Sequence, residues 1–532
     1  MKKAMKKLMA ALLAVAMVCA MAIPAFAYDT KEDLNEKHEY DAFQIFKGDV
    51  SEDNQKISNV DWSESIRNPE DFLESLKHAP IIGSQFSNAK TAQDVLTVIS
   101  TWHDSDNDSI AFARFVCSYI YTDANADWKP VIQGGHTGGF EIRKPGYYLI
   151  VDTSPFSDGD SYHAYNSFML TVSKAPYHVQ IKYKVVKPTV KKEVYDNNDI
   201  GSTGDNYGWH SSADHAINEP FQFRLIAKLP ASEKNGRAYD YYDKYTVCFI
   251  DTLSDGITFD KLDTVEITNG AGDTSKVINA ANYTLTPKDP QSSFKLSIDD
   301  VKTCAVAAGF NLNDGATITV TYTAHLNDKA AVNSSDNKNS VRLQYSNNPK
   351  PGEHWGYTPN YTPESEVYVY TYQLNNTKYH DKAEAGNELK GAGFRLYSAE
   401  TCNATEEIKL KKNTDGTYSR YFGTEDGEEM FSDDKGQFNV KGLDAGTYYL
   451  KETTTPTGYN TCGLTTVTIK ANHNGNRLDL NGSNLSTTII NNSGTVLPST
   501  GGIGTTIFYV VGGGLMVAAA ILLITKKRME NH

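Results

Sequence analysis

Short runs in which apolar and polar residues alternate, separated by clusters of Asn, Asp, Gly and Pro, recur along most of the 532-residue chain. Such runs lie at 147–151, 221–229, 316–324, 367–374 and 448–450. Alternation with a period of two directs one side of a strand toward a core, and the 32 tyrosines favour sheet over helix. The sequence therefore predicts a mainly β fold of tandem immunoglobulin-like β-sandwich domains. Some helix is predicted in the first domain, at 91–99 and 108–120.

Two proline-containing stretches, 187–189 and 346–363, interrupt the alternating pattern and indicate hinges. They divide the chain into an N-terminal domain at 28–185, a middle β-sandwich at 186–363 and a C-terminal β-sandwich at 364–496. Each segment has an ordinary domain size.

The first 27 residues have the composition of a cleaved signal peptide. Four lysines within the first seven residues precede an apolar stretch at 8–23, and an A-x-A triplet stands at 25–27. We expect export and a mature chain that starts at Tyr28. The alternative interpretation is a retained N-terminal membrane anchor.

Near the other end, 503–524 is an uncharged segment long enough to cross a bilayer as a helix. Lys526, Lys527 and Arg528 follow it, and such charges stay on the cytoplasmic side. Directly before the helix stands the pentapeptide Leu497, Pro498, Ser499, Thr500, Gly501.

This order of pentapeptide, apolar helix and basic tail resembles the LPxTG cell-wall sorting signal of Gram-positive surface proteins. The resemblance implies that a sortase cuts between Thr500 and Gly501, holds the Thr500 carbonyl as a thioester and passes it to an amine. Membrane anchoring is then transient. A plain single-pass membrane protein is the alternative.

Charge and motifs exclude several functions. The net charge is −14, and subtracting the +4 and +2 of the basic ends leaves −20 for the segment between them, which argues against a nucleic-acid partner. The acidic turn at 103–108 lacks the Gly and Glu that a calcium loop needs, having Ser109 and Phe115 there. Hydrolase and phosphate-binding motifs are not found, so we expect a structural protein without cofactor or metal rather than an enzyme.

The mature segment has five cysteines, none with metal-ligand spacing. Disulfides are permitted in an exported protein, and Cys402 and Cys462 share the C-terminal segment. We therefore predict a Cys402–Cys462 disulfide, with Cys248 and Cys304 as a second candidate pair.

In the middle segment, polar residues fall on strand faces that are otherwise apolar. Lys192 alternates with Val190 and Val194, and Asn339 shares a face with the apolar residues of the run 341–345. The C-terminal segment repeats this arrangement: Lys378 follows Leu374 with period two, and Asn491 ends an apolar run.

Glu452 likewise shares a face with Leu450. A buried unpaired charge is costly, so these inward groups need an explanation. One explanation is that each lysine reaches solvent at a sheet edge. The other is an intramolecular isopeptide bond: burial lowers the pKa of the lysine, giving a neutral nucleophile, and keeps a nearby acid protonated to shuttle protons as ammonia leaves.

Several motifs carry a family resemblance. The run 443–453 resembles the E-box of collagen-adhesin B-type domains, and 391–396 resembles one of their strands. The runs 251–259 and 341–349 resemble the isopeptide-forming second domain of Gram-positive major pilins. The resemblance implies two bonds, each with an assisting acid: Lys378–Asn491 with Glu452, and Lys192–Asn339 with Asp251. Lys191 and Asn337 are the neighbouring alternatives in the middle segment, although parity disfavours Lys191.

Major pilins also carry an exposed lysine at the end of the first domain, which accepts the sortase-held carbonyl. The corresponding run here is 179–184, which ends at Lys184, with Tyr183 where the family motif has proline. Lys182 and Lys187 are the alternatives, as is a solvated strand lysine without this role.

Together these features predict the major shaft subunit of a sortase-assembled pilus, joined head to tail from Thr500 to Lys184. The implied partners are a pilin-specific sortase, other copies of the chain, minor pilins and peptidoglycan at the base. The alternatives are a monomeric cell-wall-anchored adhesin for a host glycan or matrix protein, and a minor tip or base pilin. No host ligand is indicated.

Overall fold

The computed structural model describes residues 39–50, 57–102, 107–122, 130–136, 140–153, 167–172, 174–179, 187–197, 208–232, 238–242, 244–288, 292–346, 359–494 and 503–530. The predicted signal peptide, Lys182, Lys184 and the pentapeptide 497–501 lie outside these residues. The described part is mainly β, as predicted.

The N-terminal domain packs helices against a sheet. Its strands are β1 (Glu39–Val50), β2 (Ile57–Trp62), β3 (Ile132–His136), β4 (Phe140–Ile142), β5 (Gly146–Asp152), β6 (Ser167–Val172) and β7 (Tyr177–Val179). Its helices are α1 (Pro69–Lys77), α2 (Ala92–Ile99) and α3 (Asn107–Thr122), with a 3-10 turn at Gly83–Phe86. The sheet order is β2-β1-β5-β6, with β3 also on β1, and β4 pairs with β7.

The predicted helices near the start are present, and their ends follow from local sequence. Thr91 begins α2 with a capping box: its side chain accepts from Asp94 N–H while the Asp94 carboxylate accepts from Thr91 N–H. Asn68 caps α1, with Pro69 at its first turn. The helices bury Phe72, Val95 and other apolar side chains against the sheet.

The middle domain is a two-sheet sandwich. Its strands are β8 (Thr189–Asp196), β9 (Gly208–His210), β10 (Ser212–Asp214), β11 (Pro220–Leu229), β12 (Val247–Leu253), β13 (Ile257–Asn269), β14 (Ser275–Val277), β15 (Tyr283–Thr286), β16 (Phe294–Ile298), β17 (Ala316–Leu326), β18 (Lys338–Ser346), β19 (Pro359–Tyr361) and β20 (Ser365–Tyr370). One sheet has the order β10-β20-β18-β12-β16-β15, with β19 on β18, and the other β14-β13-β17-β11-β8-β9. Helix α4 (Val301–Ala308) and 3-10 turns at Ala238–Tyr241, Ala280–Asn282 and Leu312–Asp314 complete the domain.

The boundary between the middle and C-terminal domains differs from the predicted one at 363/364. Strand β20 pairs antiparallel with β18, and Val367 and Val369 belong to the core of the middle domain. The middle domain therefore extends to Tyr370, because β19 and β20 both pair with β18 in its sheet.

The C-terminal domain is also a sandwich. Its strands are β21 (Tyr372–His380), β22 (Gly393–Tyr397), β23 (Glu407–Ile408), β24 (Leu410–Lys412), β25 (Tyr418–Arg420), β26 (Met430–Phe431), β27 (Val440–Leu443), β28 (Gly446–Thr454), β29 (Thr465–Ile469), β30 (Asn472–Asn474), β31 (Arg477–Asp479) and β32 (Ser486–Asn491), with a 3-10 turn at Ala404–Glu406. The sheets have the orders β24-β25-β27-β21-β32 and β23-β22-β28-β29, with β26 on β22, and β30 pairs with β31.

Helix α5 (Ile503–Met529) ends the described chain. Its segment Ile507–Met529 is long and apolar enough to cross a membrane, with a mean hydropathy of 2.5. Lys526, Lys527 and Arg528 lie in its last turn.

The middle and C-terminal domains contact each other directly. Ile217 N–H donates to the Gly442 carbonyl at 3.0 Å, and Lys441 Nζ donates to the Asp328 carbonyl at 2.7 Å. Gly442 has a φ of +79°, and a Cβ there would lie 2.4 Å from Ile217 Cδ1. The close approach of the domains therefore depends on this glycine.

Candidate functional site: two buried lysine centres

The middle centre, formed by Lys192, Asp251, Tyr322 and Asn339, is built from both sheets of its domain. Strand β8 pairs with β11 and presents Lys192 to the interior, where the side chain is 0% exposed. The Lys192 ammonium contacts the Asp251 carboxylate and the Tyr322 hydroxyl, the latter at 3.1 Å. Strands β12 and β18 are neighbours in the opposite sheet and carry Asp251 and Asn339.

The Tyr322 hydroxyl joins the members of this centre. It accepts from Asn339 Nδ2 at 2.7 Å and donates to Asp251 Oδ1 at 3.2 Å. Asn339 Oδ1 is buried without a hydrogen-bond partner. Lys192 and Asn339 therefore both contact the Tyr322 hydroxyl. If the Lys192 amine moved toward the carboxamide, it would give Asn339 Oδ1 the hydrogen-bond donor that it lacks.

The surroundings of the middle centre favour neutral groups. The rings of Phe223 and Tyr322 lie 5.3 and 5.4 Å from Lys192 Nζ. Burial lowers the pKa of Lys192 to about 8, against the opposing charge of Asp251. Burial also raises the pKa of Asp251. Both shifts bring the pair toward a free amine and a protonated acid, which is the combination that amide exchange needs.

The two alternatives in the middle domain have other partners. Lys191 points outward, and its Nζ lies 2.6 Å from Glu193 Oε1. Asn337 is buried, but its side chain is hydrogen-bonded to the backbone, since its Nδ2 donates to the carbonyls of Ala331 and Val369. The structure therefore groups Lys192 and Asn339, and not their neighbours, with Asp251.

The C-terminal centre consists of Lys378, Glu452 and Asn491. Strands β21 and β32 are parallel neighbours, and Lys378 Nζ donates to Asn491 Oδ1 at 2.5 Å. Glu452 reaches the pair from β28 in the opposite sheet. Its Oε1 accepts from Asn491 Nδ2 at 2.7 Å and lies 3.8 Å from Lys378 Nζ.

Apolar packing and one backbone contact hold this second centre. Lys378 Nζ lies 5.3 Å from the Phe394 ring, which stacks on Phe438 at 4.3 Å. Burial lowers the pKa of Lys378. The backbone N–H of Cys462 donates to Glu452 Oε2 at 2.7 Å, which fixes the carboxylate so that its other oxygen faces the Asn491 amide.

The predicted disulfides, Cys402–Cys462 and Cys248–Cys304, are not formed. Cys402 and Cys462 are free thiols, as are Cys248 and Cys304. Cys402 and Cys462 are both half-buried, and the backbone N–H of Cys462 serves the C-terminal centre.

The sequence did not single out Tyr322, although it is central to the middle centre. It lies on the inward face of β17 between Val320 and Ala324. A buried tyrosine hydroxyl needs a partner, and this requirement was the available signal. Of the lysines considered for polymerisation, only Lys187 is among the described residues, and it is half-buried before β8.

Two family models match the chain. Residues 375–484 match a SpaA prealbumin-like fold domain, and residues 489–531 match the LPXTG cell wall anchor motif. These matches confirm the predicted C-terminal sandwich and sorting signal. The chain is therefore a cell-wall-anchored surface protein of the Gram-positive type. No curated protein matches it.

Among solved structures, the chain is similar to a C-terminal fragment of the major pilin GBS80 of Streptococcus agalactiae, with 20% identity and a TM-score of 0.41 over 57% of this chain and 100% of that one. It is similar to the T6 backbone pilin of Streptococcus pyogenes, with 16% identity and a TM-score of 0.46 over 82% and 79%. The full-length major pilin SpaD of Corynebacterium diphtheriae has 20% identity and a TM-score of 0.41 over 70% and 87%.

Proposed function

We propose that this protein is the shaft subunit of a covalent pilus, polymerised by a sortase and reinforced by two internal isopeptide bonds. The observation that carries the proposal is the geometry of the two buried centres, in a chain that ends in a cell-wall anchor. Each centre places a lysine amine, a carboxamide and an acid together inside a sandwich.

Polymerisation joins Thr500 of one subunit to Lys184 of the next. The sortase thiolate attacks the Thr500 carbonyl, the Thr500–Gly501 bond breaks, and Gly501 leaves as a protonated amine with the membrane helix. The Lys184 amine then attacks the thioester, forming an amide and returning the thiolate. Because the donor and acceptor differ, the contact is heterologous and the fibre stays open.

In the C-terminal centre, the reacting groups already lie in contact. The neutral Lys378 amine attacks the Asn491 side-chain carbonyl carbon, and Glu452 passes a proton to the departing nitrogen across the 2.7 Å contact and takes up the proton that the Lys378 nitrogen loses. The new Nζ–C bond replaces the C–NH₂ bond, and ammonia leaves. The middle centre uses Lys192, Asn339 and Asp251 in the same roles, with Tyr322 orienting the carboxamide.

The location of the bonds suits a subunit under tension. Strand β21 opens the C-terminal domain and β32 ends it, so a Lys378–Asn491 bond ties the first strand to the last. In the middle domain, a Lys192–Asn339 bond joins β8 of one sheet to β18 of the other. Pulling along the fibre therefore cannot unravel the chain between the linked residues without breaking an amide.

The experiment is a Lys184→Arg variant expressed on cells with the sortase present. We expect the high-mass ladder of wild-type cell-wall extracts on denaturing gels to disappear, because arginine does not provide a nucleophilic amine at neutral pH. The matched control is Lys182→Arg, which should keep the ladder. A ladder that survives in Lys184→Arg would contradict this assignment, and a wild type that never forms one would favour a monomeric adhesin.

A further inference from the structure

Three potential metal ligands from separate strands meet where the middle and C-terminal domains touch. Asp196 ends β8, Asp214 ends β10, and His473 lies in β30 of the C-terminal domain. His473 Nε2 is 3.4 Å from Asp196 Oδ2 and 3.8 Å from Asp214 Oδ1. All three ligand atoms lie within 4.8 Å of one another. We call these residues the junction cluster.

The junction cluster is buried and incompletely satisfied. The His473 and Asp214 side chains are each 1% exposed, and the Asp196 side chain is 0% exposed. Neither His473 Nε2 nor Asp214 Oδ1 has a hydrogen-bond partner. Two carboxylates held together in the interior need a compensating positive charge, because desolvation of an ion is costly.

Outer contacts orient the ligand atoms. His473 Nδ1 lies 2.9 Å from Ser212 Oγ, which also accepts from Gly475 N–H at 3.1 Å. A Ser212 oxygen that accepts from Nδ1–H leaves the lone pair on Nε2, facing the carboxylates. Tyr372 OH donates to Asp214 Oδ2 at 3.0 Å, leaving Oδ1 for the cluster.

We propose that Asp196, Asp214 and His473 bind one divalent transition-metal cation of the Zn²⁺ class, which fastens the middle domain to the C-terminal domain. Ligands on a tetrahedral zinc ion, with bonds of about 2.0–2.1 Å, lie about 3.4 Å apart. The 3.4 Å spacing from His473 Nε2 to Asp196 Oδ2 matches this value, and the 3.8 Å spacing to Asp214 Oδ1 is slightly longer; both are long for direct hydrogen bonds. An imidazole ligand favours zinc over calcium or magnesium, which prefer oxygen.

A proton on His473 competes with the metal ion for the Nε2 lone pair. Burial disfavours the charged imidazole, but the nearby carboxylates of Asp196 and Asp214 raise the pKa of His473 to about 9. A metal ion must displace this proton, and the two occupants differ in what they predict: only the metal gives a stoichiometric content and a cation-dependent rise in melting temperature.

The test uses the tag-free full chain, purified in detergent from a host without sortase and dialysed at pH 8 against a small excess of ZnCl₂. We expect one zinc per chain by elemental analysis, and a melting temperature that rises with zinc. His473→Gln should lower the zinc affinity at least tenfold and abolish the shift. The matched control is His325→Gln, which removes a histidine paired with Asp260 elsewhere in the middle domain and should keep the zinc.

Asp214→Asn provides a second variant in case His473→Gln destabilises the fold. It replaces the ligand oxygens with a near-isosteric amide and should also lower the zinc content. Wild type that retains no zinc would overturn the proposal and leave the cluster as a protonated histidine between two carboxylates. Zinc retained equally by wild type and both variants would overturn it too, because the metal would then lie elsewhere.

Discussion

At the scale of single residues, the two centres differ in how close the reacting groups already are. Lys378 contacts the Asn491 carboxamide directly, whereas the contacts of Lys192 and Asn339 meet at Tyr322. The amine in the C-terminal centre is therefore placed closer to its target. In the middle centre, attack requires a small movement of the lysine away from Asp251.

Intact mass measures bond formation at each centre. Each bond to asparagine releases one ammonia, so we expect the mature wild type to lie about 34 Da below its sequence mass, about 17 Da per bond. Glu452→Gln should halve this deficit, because glutamine cannot transfer the proton to the leaving nitrogen. Asp251→Asn should halve it through the other centre.

The matched control is Glu429→Gln. This acid accepts from Thr453, the residue after Glu452, but does not belong to the centre, so its variant should keep the full deficit. If the wild type has its unmodified sequence mass, neither isopeptide bond forms, and that part of the proposed function is wrong.

The alternation of inward and outward side chains along a strand was sufficient to find most residues of the two lysine centres from the sequence. It placed Lys192, Lys378 and Glu452 on inward faces, because parity is a property of the strand alone. The role of Tyr322 was not predictable, since the inward tyrosine that reaches a lysine depends on how two sheets pack. The Cys402–Cys462 prediction was wrong because membership of the same sequence segment does not show that two thiols meet in the folded domain.

The junction cluster lay beyond sequence reasoning for a related reason. Its members come from β8, β10 and β30, two in one domain and one in the next. Metal motifs are recognisable in sequence when ligands lie a few residues apart on one element. Here the ligands converge only after the domains dock.

At the scale of elements, the proposed Lys378–Asn491 bond would join strands whose pairing is otherwise held by hydrogen bonds. Strands β21 and β32 are parallel and distant in sequence, and Lys378 and Asn491 are separated by 113 positions. Such a pairing closes a long loop, so it is entropically costly to re-form once lost. A covalent bond removes that cost from the unfolded state.

Lys378→Met tests this consequence. Methionine keeps an apolar stem and removes both the amine and the buried charge, so the loss of stability reports mainly the missing bond. By analogy with disulfide loops, the free energy of unfolding of the C-terminal domain should fall by about 5 kcal/mol in guanidinium denaturation.

Lys382→Met is the matched control, because Lys382 is exposed shortly after β21. Its effect should stay within about 0.5 kcal/mol, as is usual for surface substitutions. Equal stabilities of Lys378→Met and wild type would show that the bond contributes nothing to domain stability.

At the scale of the whole molecule, the contact between the last two domains depends on close backbone approach. Gly442 combines a positive φ with a position against Ile217. Gly442→Ala introduces a clash across the junction that we expect to cost about 1–3 kcal/mol. In calorimetry, the middle and C-terminal domains should then unfold in better-separated transitions than in wild type.

Gly458→Ala is the control for backbone strain. Gly458 has a φ of +94°, and a Cβ there meets nothing within 4 Å. It shares the conformational penalty of about 1 kcal/mol but not the clash. Transitions that separate equally in both variants would mean that the junction does not depend on Gly442.

The chain crosses that junction with almost no intervening segment. Strand β20 of the middle domain ends at Tyr370 and β21 of the C-terminal domain begins at Tyr372, so only Thr371 stands between them. Thr371 is fully buried, its hydroxyl donates to the Leu443 carbonyl, and its own carbonyl accepts from Asn333 N–H. The junction contains no slack segment that could lengthen, so a stretched fibre would store its extension elsewhere, and this part of each subunit would behave as an inextensible coupling.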